Sequence, residues 1–384
     1  MQKAEFVLLT HEFPPQRGGA GIYCREIALA ACKNSMNVSV WAPSGSTSDD
    51  EIEMIELPWV GSQSFVSSWK LIQKTKNFIL KNKEQSTVFH LAEPGSTRAF
   101  IRFGWMIHSK IKFILTIHGS ELLRFTRNPF EKWLFKKLLS RCSRIHVLSK
   151  FNESQLIGLY PFTKTYIKRI PGAPASGVIT PKQKLENQTN SETIQIVSVG
   201  RIHPRKGQDQ ILLALLKLPK TTQKSLQLSF VGPTNNPKYS MSIQNLVEKF
   251  SGEVTFKGDC TDQELASIYA ESDIFALTSL PTPKSVEGFG FVYLEASAHG
   301  LPIIANKTGG VEDAVKDNET GLLSEPNDIE TLSKNFLSLI SDKNFRKRIG
   351  QNGIEWASSH NWGNTAKKLY SDIYRTSANA GRNR

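Results

Sequence analysis

The chain has 384 residues, of which 39% are hydrophobic and 22% charged, a profile typical of soluble globular proteins with room for two domains. Lysine and arginine outnumber aspartate and glutamate by 48 to 35, which gives a formal net charge of +13. The first apolar run is too short for a signal-peptide core, and none approaches the roughly 18 apolar residues of a membrane span. We therefore expect a cytoplasmic protein.

The four cysteines are scattered, and no C-x-x-C pair occurs among them: Cys24, Cys32, Cys142 and Cys260. This spacing predicts reduced thiols and argues against a disulfide framework or a zinc site.

Strand and helix patterns alternate from the N-terminus. The apolar run EFVLLT at residues 5–10 predicts a strand, HEFPPQRGGAG breaks the chain, and IYCREIALAAC at residues 22–32 has helical periodicity. Short apolar runs further on predict buried strands: NVSVWAP, STVFHLAE, KFILTIH and RIHVLS. This alternation is typical of a parallel sheet covered by helices.

The alternation starts again near residue 194 with the strand IQIVSVG and the helix QDQILLALLKL, followed by SLQLSFVG, EVTFKG, DIFALTS and LPIIAN. A polar stretch without apolar periodicity predicts an interdomain linker over 176–193. We therefore predict an α/β protein with two doubly wound, Rossmann-like domains, at 1–175 and 194–360, and a cleft between them. Residues 361–384 are expected to add a helix that packs back on the N-terminal domain, and a loose tail.

Ligands of open parallel sheets bind at the carboxyl ends of the strands, so loops after strands are the places to look for chemistry. In PPQRGGAG, after the first strand, the glycines let backbone N–H groups approach a ligand, although a plain tight turn is an equal interpretation. In VGRIHPRKG, Arg201 and Lys206 could neutralise a diphosphate from two sides, and the alternative is a solvated basic turn.

A third loop lies in SVEGFGFVYLEASAHG, where a helix is predicted to begin at Gly290. Its N-terminus offers backbone N–H groups of Gly288, Phe289 and Gly290 to a phosphate. Glu287 precedes the turn and could accept hydrogen bonds from sugar hydroxyls. Glu295 lies more than one turn into the helix among apolar and small residues, which predicts a buried carboxylate with polar partners. The alternatives are a favourable charge near a helix N-terminus for Glu287 and a solvated helix residue for Glu295.

With these residues in place, the chain resembles the retaining glycosyltransferases of family 4, which have the GT-B fold. The family pattern of two glutamates separated by seven residues is matched by Glu287 and Glu295. The strand-end Gly-Arg followed by Lys-Gly is matched around Arg201 and Lys206. FKGDCTDQELASIYAESDIFALTS, GLPIIANKTGGVEDAV, ETGLL, PPQRGGAG and TIHG are similar to further family segments.

The resemblance implies that Arg201 and Lys206 hold the donor diphosphate and stabilise the charge of the leaving group. It implies that Glu287, with the backbone of Phe289 and Gly290, grips the donor sugar and the distal phosphate.

For the rest of the donor, the resemblance implies that Glu295 binds the ribose hydroxyls and that Gly258 to Cys260 lie beside the base. His118 would contact the sugar near the reacting centre from the opposite domain. Gly19 would let the first loop close over the donor phosphates and the acceptor.

The implied reaction transfers a hexosyl group from a UDP-, GDP- or ADP-sugar to a glycan, glycolipid or small-molecule acceptor with retention of anomeric configuration. No D-x-D triplet occurs, so neither a metal nor any other cofactor is expected. Arg201, Lys206 and the helix N-terminus would stabilise the leaving diphosphate instead. A sugar-nucleotide epimerase of the same fold is an alternative. A nucleic-acid-binding protein is disfavoured, since no nucleic-acid-binding signature accompanies the positive charge.

Positive charge is concentrated at residues 124–144, RFTRNPFEKWLFKKLLSRCSR. A helix from Pro129 would place Phe130, Trp133, Leu134 and Leu138 on one stripe, with basic residues beside it. Either this is an ordinary solvated helix face, or it docks peripherally on anionic lipid headgroups at the inner face of a membrane.

Overall fold

The computed structural model describes residues 5–16, 18–47, 51–58, 63–82, 86–179, 193–283 and 285–373. Within them the chain forms two compact units, one up to residue 172 together with residues from 361 onwards, and one from 173 to 360. Most of the predicted linker, at 180–192, and the predicted loose tail after residue 373 lie outside the described residues.

The first unit is a seven-stranded parallel sheet with its helices. Its strands are β1 (Glu5–Leu9), β2 (Asn37–Pro43), β3 (Glu53–Leu57), β4 (Thr87–Leu91), β5 (Lys112–Ile117), β6 (Cys142–Val147) and β7 (Ile167–Arg169). Its helices are α1 (Gly19–Lys33), α2 (Phe65–Lys81), α3 (Pro94–Phe103), α4 (Ser120–Phe125), α5 (Pro129–Leu139), α6 (Lys150–Leu159) and, from the end of the chain, α15 (Trp362–Tyr370).

The strand order is β3-β2-β1-β4-β5-β6-β7, so the direction of winding reverses between β1 and β4. Leu9, the last residue of β1, pairs with Trp41 on one side and with Leu91 on the other. In doubly wound sheets the loops diverge at such a reversal and leave a crevice at the carboxyl ends of the strands.

Helices cover both faces of this sheet. Val7 and Leu9 belong to a buried apolar cluster that includes Leu71 of α2 and Phe100 of α3. Side chains alternate along a strand, so Phe6 faces the other way, and its ring lies 4.6 Å from that of Tyr370 in α15.

The C-terminal helix α15 packs on α1 in the first unit. Leu369 is fully buried, and the Tyr370 hydroxyl lies 2.8 Å from His90 Nδ1. The Arg144 guanidinium donates to the Lys368 carbonyl at 2.9 Å, which satisfies a carbonyl at the end of the helix. Although distant in sequence, α15 therefore belongs to the core of this unit.

The second unit is a six-stranded parallel sheet. Its strands are β8 (Ile194–Val199), β9 (Leu226–Val231), β10 (Glu253–Gly258), β11 (Ile274–Leu277), β12 (Ile303–Asn306) and β13 (Gly321–Ser324). Its helices are α7 (Gln208–Leu216), α8 (Lys220–Lys224), α9 (Pro237–Val247), α10 (Asp262–Glu271), α11 (Phe291–Ala298), α12 (Val311–Ala314), α13 (Ile329–Ser341) and α14 (Lys343–Ser358). The order β10-β9-β8-β11-β12-β13 repeats the reversal of the first unit, here between β8 and β11.

The predicted α/β fold with two Rossmann-like sheets is confirmed, and every strand that the apolar runs predict is present. The sequence patterns missed β3, β7 and β13, which are short or lie at sheet edges. β3 and β7 are partly exposed edge strands, so no continuous apolar run marks them, whereas β13 is buried but has only four residues.

The predicted helix from Pro129 is present as α5, and the stripe predicted on it is buried only in part. Leu138 is buried in the core with Phe135, but Phe130 and Trp133 are 67% and 48% exposed and stack on each other at 5.9 Å. The helix is anchored by the face carrying Phe135, which turns the first-turn aromatics outward.

No helix in the described part of the chain is both long enough and apolar enough to cross a lipid bilayer.

Candidate active site

The loop after β8 is fixed against the end of β11 at the strand reversal of the second unit. Gly207 ends a turn of 3₁₀ helix at Pro204–Lys206 with φ of +69°, and its carbonyl accepts a hydrogen bond from the Thr278 hydroxyl at 2.7 Å. A Cβ at Gly207 would lie 2.1 Å from the Thr278 carbonyl oxygen, so only glycine fits. The Leu280 amide also donates to the Arg205 carbonyl at 2.8 Å.

Three donors from this region converge on one carboxylate oxygen, Glu287 Oε2. The Lys206 ammonium lies 2.8 Å away, the Arg205 guanidinium 3.2 Å and the Ser279 hydroxyl 3.1 Å. The side chains of Lys206 and Glu287 are only 13% and 14% exposed, so this ion pair is far less screened than a surface pair.

The carboxylate of Glu287 is ionised at neutral pH. Burial by itself raises the pKa of Glu287, but the charges of Lys206 and Arg205 and the hydrogen bonds from Lys206 and Ser279 outweigh burial and lower that pKa to about 2. The three charged groups together carry a net charge of +1.

Two groups at this site keep hydrogen-bonding capacity for a ligand. Among the described residues, Glu287 Oε1 has no hydrogen-bond partner, since all three donors bind Oε2. Arg201, just beyond the end of β8, is exposed and forms no ion pair in the described ranges. The site therefore offers one carboxylate oxygen to a hydroxyl group and an arginine to an anion.

The predicted glycine-led helix is α11, and it begins at Phe291, one residue later than expected. Gly290 is its N-cap residue with φ of +89°, and among the described side chains none caps the helix. The Gly310 amide donates to the Glu287 carbonyl at 2.8 Å, which holds the loop that enters the helix. Gly288 lies in this loop, and Phe289 is buried beneath it. Glu287 therefore connects the cationic loop after β8 with the segment that enters α11.

Glu295 is 2% exposed, which confirms the predicted buried carboxylate. The hydroxyl of Tyr269, on α10, lies 3.4 Å from Glu295 Oε2. Burial and the neighbouring charge of Glu295 raise the pKa of Tyr269 well above its usual value, so the phenol keeps its proton and donates it. A tyrosine from another helix is thus one polar partner of Glu295 that the sequence did not identify.

Gly258 ends the edge strand β10, and its carbonyl accepts from the Gly232 amide at 2.7 Å. Cys260 follows, and it is buried. Two strand spacings separate β10 from β8, which places this segment roughly 10 Å from the end of β8 along the same edge of the sheet.

The other two predicted site residues belong to the first unit. Gly19 is the first residue of α1. His118 follows β5, and its Nε2 lies 2.8 Å from the Ala92 carbonyl oxygen. A carbonyl can only accept, so Nε2 carries the proton and Nδ1 is left as the acceptor. The ring of His118 is edge-on to Tyr23 at 5.1 Å, which fixes its orientation.

Sequence reasoning missed Arg205, Ser279 and Tyr269. Arg205 was available as a third cation of the basic loop, and Ser279 as a polar residue just after a strand. Tyr269 had no local signal, because only the tertiary structure brings it from α10 to Glu295 on α11. Within the described ranges, no three His, Cys, Asp or Glu side chains come together as metal ligands would.

Comparison with known families gives two matches along the chain. Residues 17–173 match the family described as Glycosyltransferase Family 4, and residues 180–356 match Glycosyl transferases group 1. The chain is 24% identical over 393 residues to the GDP-mannose-dependent alpha-(1-6)-phosphatidylinositol monomannoside mannosyltransferase of Mycobacterium tuberculosis, covering 94% of this chain and 96% of that protein.

Solved structures show the same fold. Sucrose-phosphate synthase from Thermosynechococcus elongatus superposes with a TM-score of 0.79 at 21% identity, over 98% of this chain and 100% of the other. Anabaena HepE in complex with UDP and glucose superposes with a TM-score of 0.74 at 18% identity, over 97% and 100% of the two chains.

The two Rossmann-like sheets and the family matches define an enzyme of the transferase class, a glycosyltransferase with the GT-B fold. Within that class, the chain belongs to glycosyltransferase family 4.

Proposed function

We propose that this enzyme transfers a hexosyl group from a nucleoside-diphosphate sugar to a glycan, glycolipid or small-molecule acceptor, with retention of configuration and without a metal. The observation that supports this proposal most directly is the cationic site at the β8–β11 reversal. There, Arg205 and Lys206 pair with a single carboxylate, Glu287, and Arg201 lies exposed in the same loop.

The leaving group of such a reaction is a nucleoside diphosphate, whose negative charge grows as the glycosidic bond breaks. Arg201 and Lys206 would hold the diphosphate, and the open N-terminus of α11 at Gly290 would stabilise the distal phosphate. Glu287 is anchored through Oε2, so Oε1 would accept a hydrogen bond from a hydroxyl of the transferred sugar. These donors are in place before the reaction, which avoids the cost of reorganising them.

The remaining predicted residues would bind the rest of the donor and the reacting centre. Glu295, oriented by Tyr269, would bind the ribose hydroxyls, and Gly258 to Cys260 would lie beside the base. In the first unit, Gly19 would allow close approach to phosphate, and His118 would present Nδ1 to a sugar hydroxyl.

A screen of nucleotides tests the donor class. UDP, GDP, ADP and their hexose conjugates are each added with and without EDTA, and the melting temperature is followed, because a ligand that binds only the folded state raises stability. We expect one base to give the largest shift, unchanged by EDTA. If no nucleoside diphosphate shifts the melting temperature, the donor assignment is wrong, and loss of the shift in EDTA would contradict metal independence.

Anomeric configuration is tested separately. The product formed from the stabilising donor is analysed by proton NMR, and retention predicts the anomeric configuration of the donor sugar. The relative named above suggests GDP-mannose as the first donor and a mannosylated phosphatidylinositol as the first acceptor to try.

We also propose that the enzyme works at the inner surface of an anionic membrane. On α5, Phe130 and Trp133 are exposed, and the Lys137 ammonium lies 3.7 Å from the centre of the Trp133 ring. On α2, Phe65 and Trp69 are exposed as well. Aromatic side chains beside lysines suit the headgroup region of a bilayer.

Sedimentation with phosphatidylglycerol vesicles at low and high salt tests this surface. We expect binding that is lost at high salt and weakened in Trp133→Ala. Absence of sedimentation at low salt would exclude the docking surface while leaving the transfer reaction untouched.

A further inference from the structure

Residues 278–280, which follow β11, bind the basic loop after β8. The Thr278 hydroxyl donates to the Gly207 carbonyl at 2.7 Å, and the Leu280 amide donates to the Arg205 carbonyl at 2.8 Å. The two carbonyls belong to the residues on either side of the loop lysine. The backbone that carries this lysine is therefore fixed to the end of β11 both before and after it.

The same segment also binds the carboxylate of the cationic site. The Ser279 hydroxyl lies 3.1 Å from Glu287 Oε2, the oxygen to which the Lys206 ammonium donates at 2.8 Å. The position of residues 278–280 therefore governs how the lysine and the glutamate are placed relative to each other.

The side-chain amide of Asn306, the last residue of β12, holds this segment. Asn306 Nδ2 donates to the Thr278 carbonyl at 3.1 Å and lies 3.5 Å from the Ser279 carbonyl oxygen. The Ser324 hydroxyl, on the neighbouring strand β13, lies 3.1 Å from Asn306 Oδ1. Carbonyl oxygens only accept, so the amide nitrogen faces β11 and the amide oxygen accepts from Ser324.

Sheet pairing brings these groups together out of contact with water. Leu277 pairs with Ala305, so Thr278 and Asn306 each follow a paired position, and Asn306 itself pairs with Ser324. Asn306 is 1% exposed, and its hydrogen-bonding partners are buried as well. Removal of the amide would take a hydrogen bond from a buried carbonyl that water does not reach, which is more costly than the loss of an exposed bond.

We propose that Asn306 is a positioning residue of the diphosphate site: its amide fixes residues 278–280 and, through them, the placement of Lys206 relative to Glu287. This inference rests on the proposed binding of a nucleoside diphosphate at Lys206. Asn306 acts through Thr278 and Ser279. All of these residues belong to the second unit, so the role depends on that unit alone.

Two substitutions of Asn306 and one control separate this role from a general loss of structure. Asn306→Leu has a similar volume, removes the amide donor and introduces no charge. Asn306→Asp keeps the shape and the acceptor for the Ser324 hydroxyl, but a carboxylate cannot donate to the two carbonyls. The control is Asn335→Leu, on α13 of the same unit, because the amide nitrogen of Asn335 has no hydrogen-bond partner among the described residues.

The first measurement compares a nucleoside with its diphosphate: uridine with UDP, guanosine with GDP or adenosine with ADP, according to which nucleotide stabilises the protein. Ligand-detected NMR gives the affinity for the nucleoside, and calorimetry gives the affinity for the diphosphate. We expect both Asn306 variants to bind the diphosphate about ten-fold more weakly, the effect of one buried hydrogen bond. Affinity for the nucleoside should stay within about two-fold, and Asn335→Leu should resemble the wild type in both.

The second measurement is hydrogen exchange of the protein without ligand. The hydrogen bond from the Leu280 amide to the Arg205 carbonyl depends on the position of residues 278–280. We therefore expect the Leu280 amide to exchange about ten-fold faster in Asn306→Leu, while amides within β8 and β9 keep their wild-type rates.

Wild-type behaviour of Asn306→Leu in either measurement overturns the proposal. A loss of diphosphate affinity confined to Asn306→Asp would show that only the added charge matters, and an equal loss of nucleoside and diphosphate affinity would show a general structural role. Either result also overturns it. If Asn306→Leu does not fold, Asn306→Asp is decisive at high salt, which screens the added charge, and the loss should persist there.

Failure of the proposed function is distinguishable from failure of this inference. A wild-type protein that binds no nucleoside diphosphate contradicts the proposed function. Faster exchange of the Leu280 amide in Asn306→Leu would still support the positioning of residues 278–280 by Asn306.

Discussion

The two strand reversals of this enzyme share a topology and differ in charge. In the first unit the loops after β1 and β4 bring together His11 and Glu93, and in the second the loops around β8 and β11 bring Lys206 and Arg205 to Glu287. The reversal of strand order decides where a ligand can approach, and it falls after the third strand of the order in both sheets. Loop composition decides which ligand is suited to each place.

The difference in charge is seen in the partners of the two carboxylates, Glu93 and Glu287. Glu93 is bound by the His11 imidazole, the His11 amide and two amides at the N-terminus of α3, and within the described residues no lysine or arginine pairs with it. Glu287 is held by two cations, which leave an excess positive charge. The second edge therefore carries an excess of positive charge that the His11–Glu93 pair does not have.

Removal of a cation should have the largest effect. In Lys206→Ala, Glu287 loses its shortest ion pair and the proposed diphosphate site loses a charge. We expect kcat/KM for transfer to fall by about 1000-fold, as for loss of a preorganised transition-state donor. Lys217→Ala is the matched control, since Lys217 forms an exposed ion pair with Glu330 in the same unit. Near-normal turnover in Lys206→Ala would show that the loops around β8 and β11 do not belong to the catalytic site.

Removal of the carboxylate should separate binding of the nucleotide from transfer. Glu287→Gln raises the net charge of the cluster from +1 to +2, so affinity for the free nucleoside diphosphate should rise several-fold. Transfer should fall by about 100-fold, because the sugar loses a charged hydrogen-bond acceptor. Calorimetric titration and the transfer assay measure the two effects. If nucleoside diphosphate affinity and the rate of transfer fall together, Glu287 only supports the fold of the loop.

Truncation of a buried side chain in the C-terminal helix should destabilise the first unit more than the second. Leu369 is fully buried in α15, which belongs to the first unit. Leu369→Ala should cost about 3 kcal/mol of unfolding free energy, as for other buried leucines. The control, Leu337→Ala, removes a side chain that is 41% exposed on α13. Hydrogen exchange should show the loss in the first sheet, and equal loss in both sheets would contradict the assignment of α15 to one core.

Acid should lower the unfolding free energy of the second unit, because protonation of Glu287 removes its ion pairs. Its pKa in the folded protein is depressed from 4.5 to about 2, so the unfolded chain binds more protons as the pH falls below 4.5. The stabilisation is complete near neutral pH, and we expect about 2 kcal/mol of it to be lost between pH 5 and pH 3. Urea unfolding at these two pH values, compared between wild type and Glu287→Gln, isolates this contribution. If the difference in unfolding free energy between wild type and Glu287→Gln is the same at pH 5 and at pH 3, the ion pair does not stabilise the fold.

Much of the second edge could be predicted from the sequence because its signals are local. Arg201 and Lys206 follow a strand within one loop, and Glu287, Gly290 and Glu295 lie on one strand-to-helix connection. The partners that complete the site come from elsewhere in the chain. Tyr269 reaches Glu295 from α10, and Ser279 reaches Glu287 from the end of β11.

The polar residues at the carboxyl ends of the first unit's strands were harder to predict, since they form no short motif in the sequence. Glu93 follows β4 and binds His11, 82 residues earlier in the chain. His118 was predicted from its loop, but its tautomer depends on the Ala92 carbonyl of a neighbouring strand end.

By itself, the sequence determined the alternation of strands and helices, the position of the basic and glycine-led loops and the family, because these follow from periodicity and short motifs. Only the tertiary structure decided which nitrogen of His11 and of His118 carries a proton, and which oxygen of Glu287 is left for a ligand. Those properties depend on partners brought together by sheet pairing and helix packing across long separations in sequence, and local patterns carry no record of such partners.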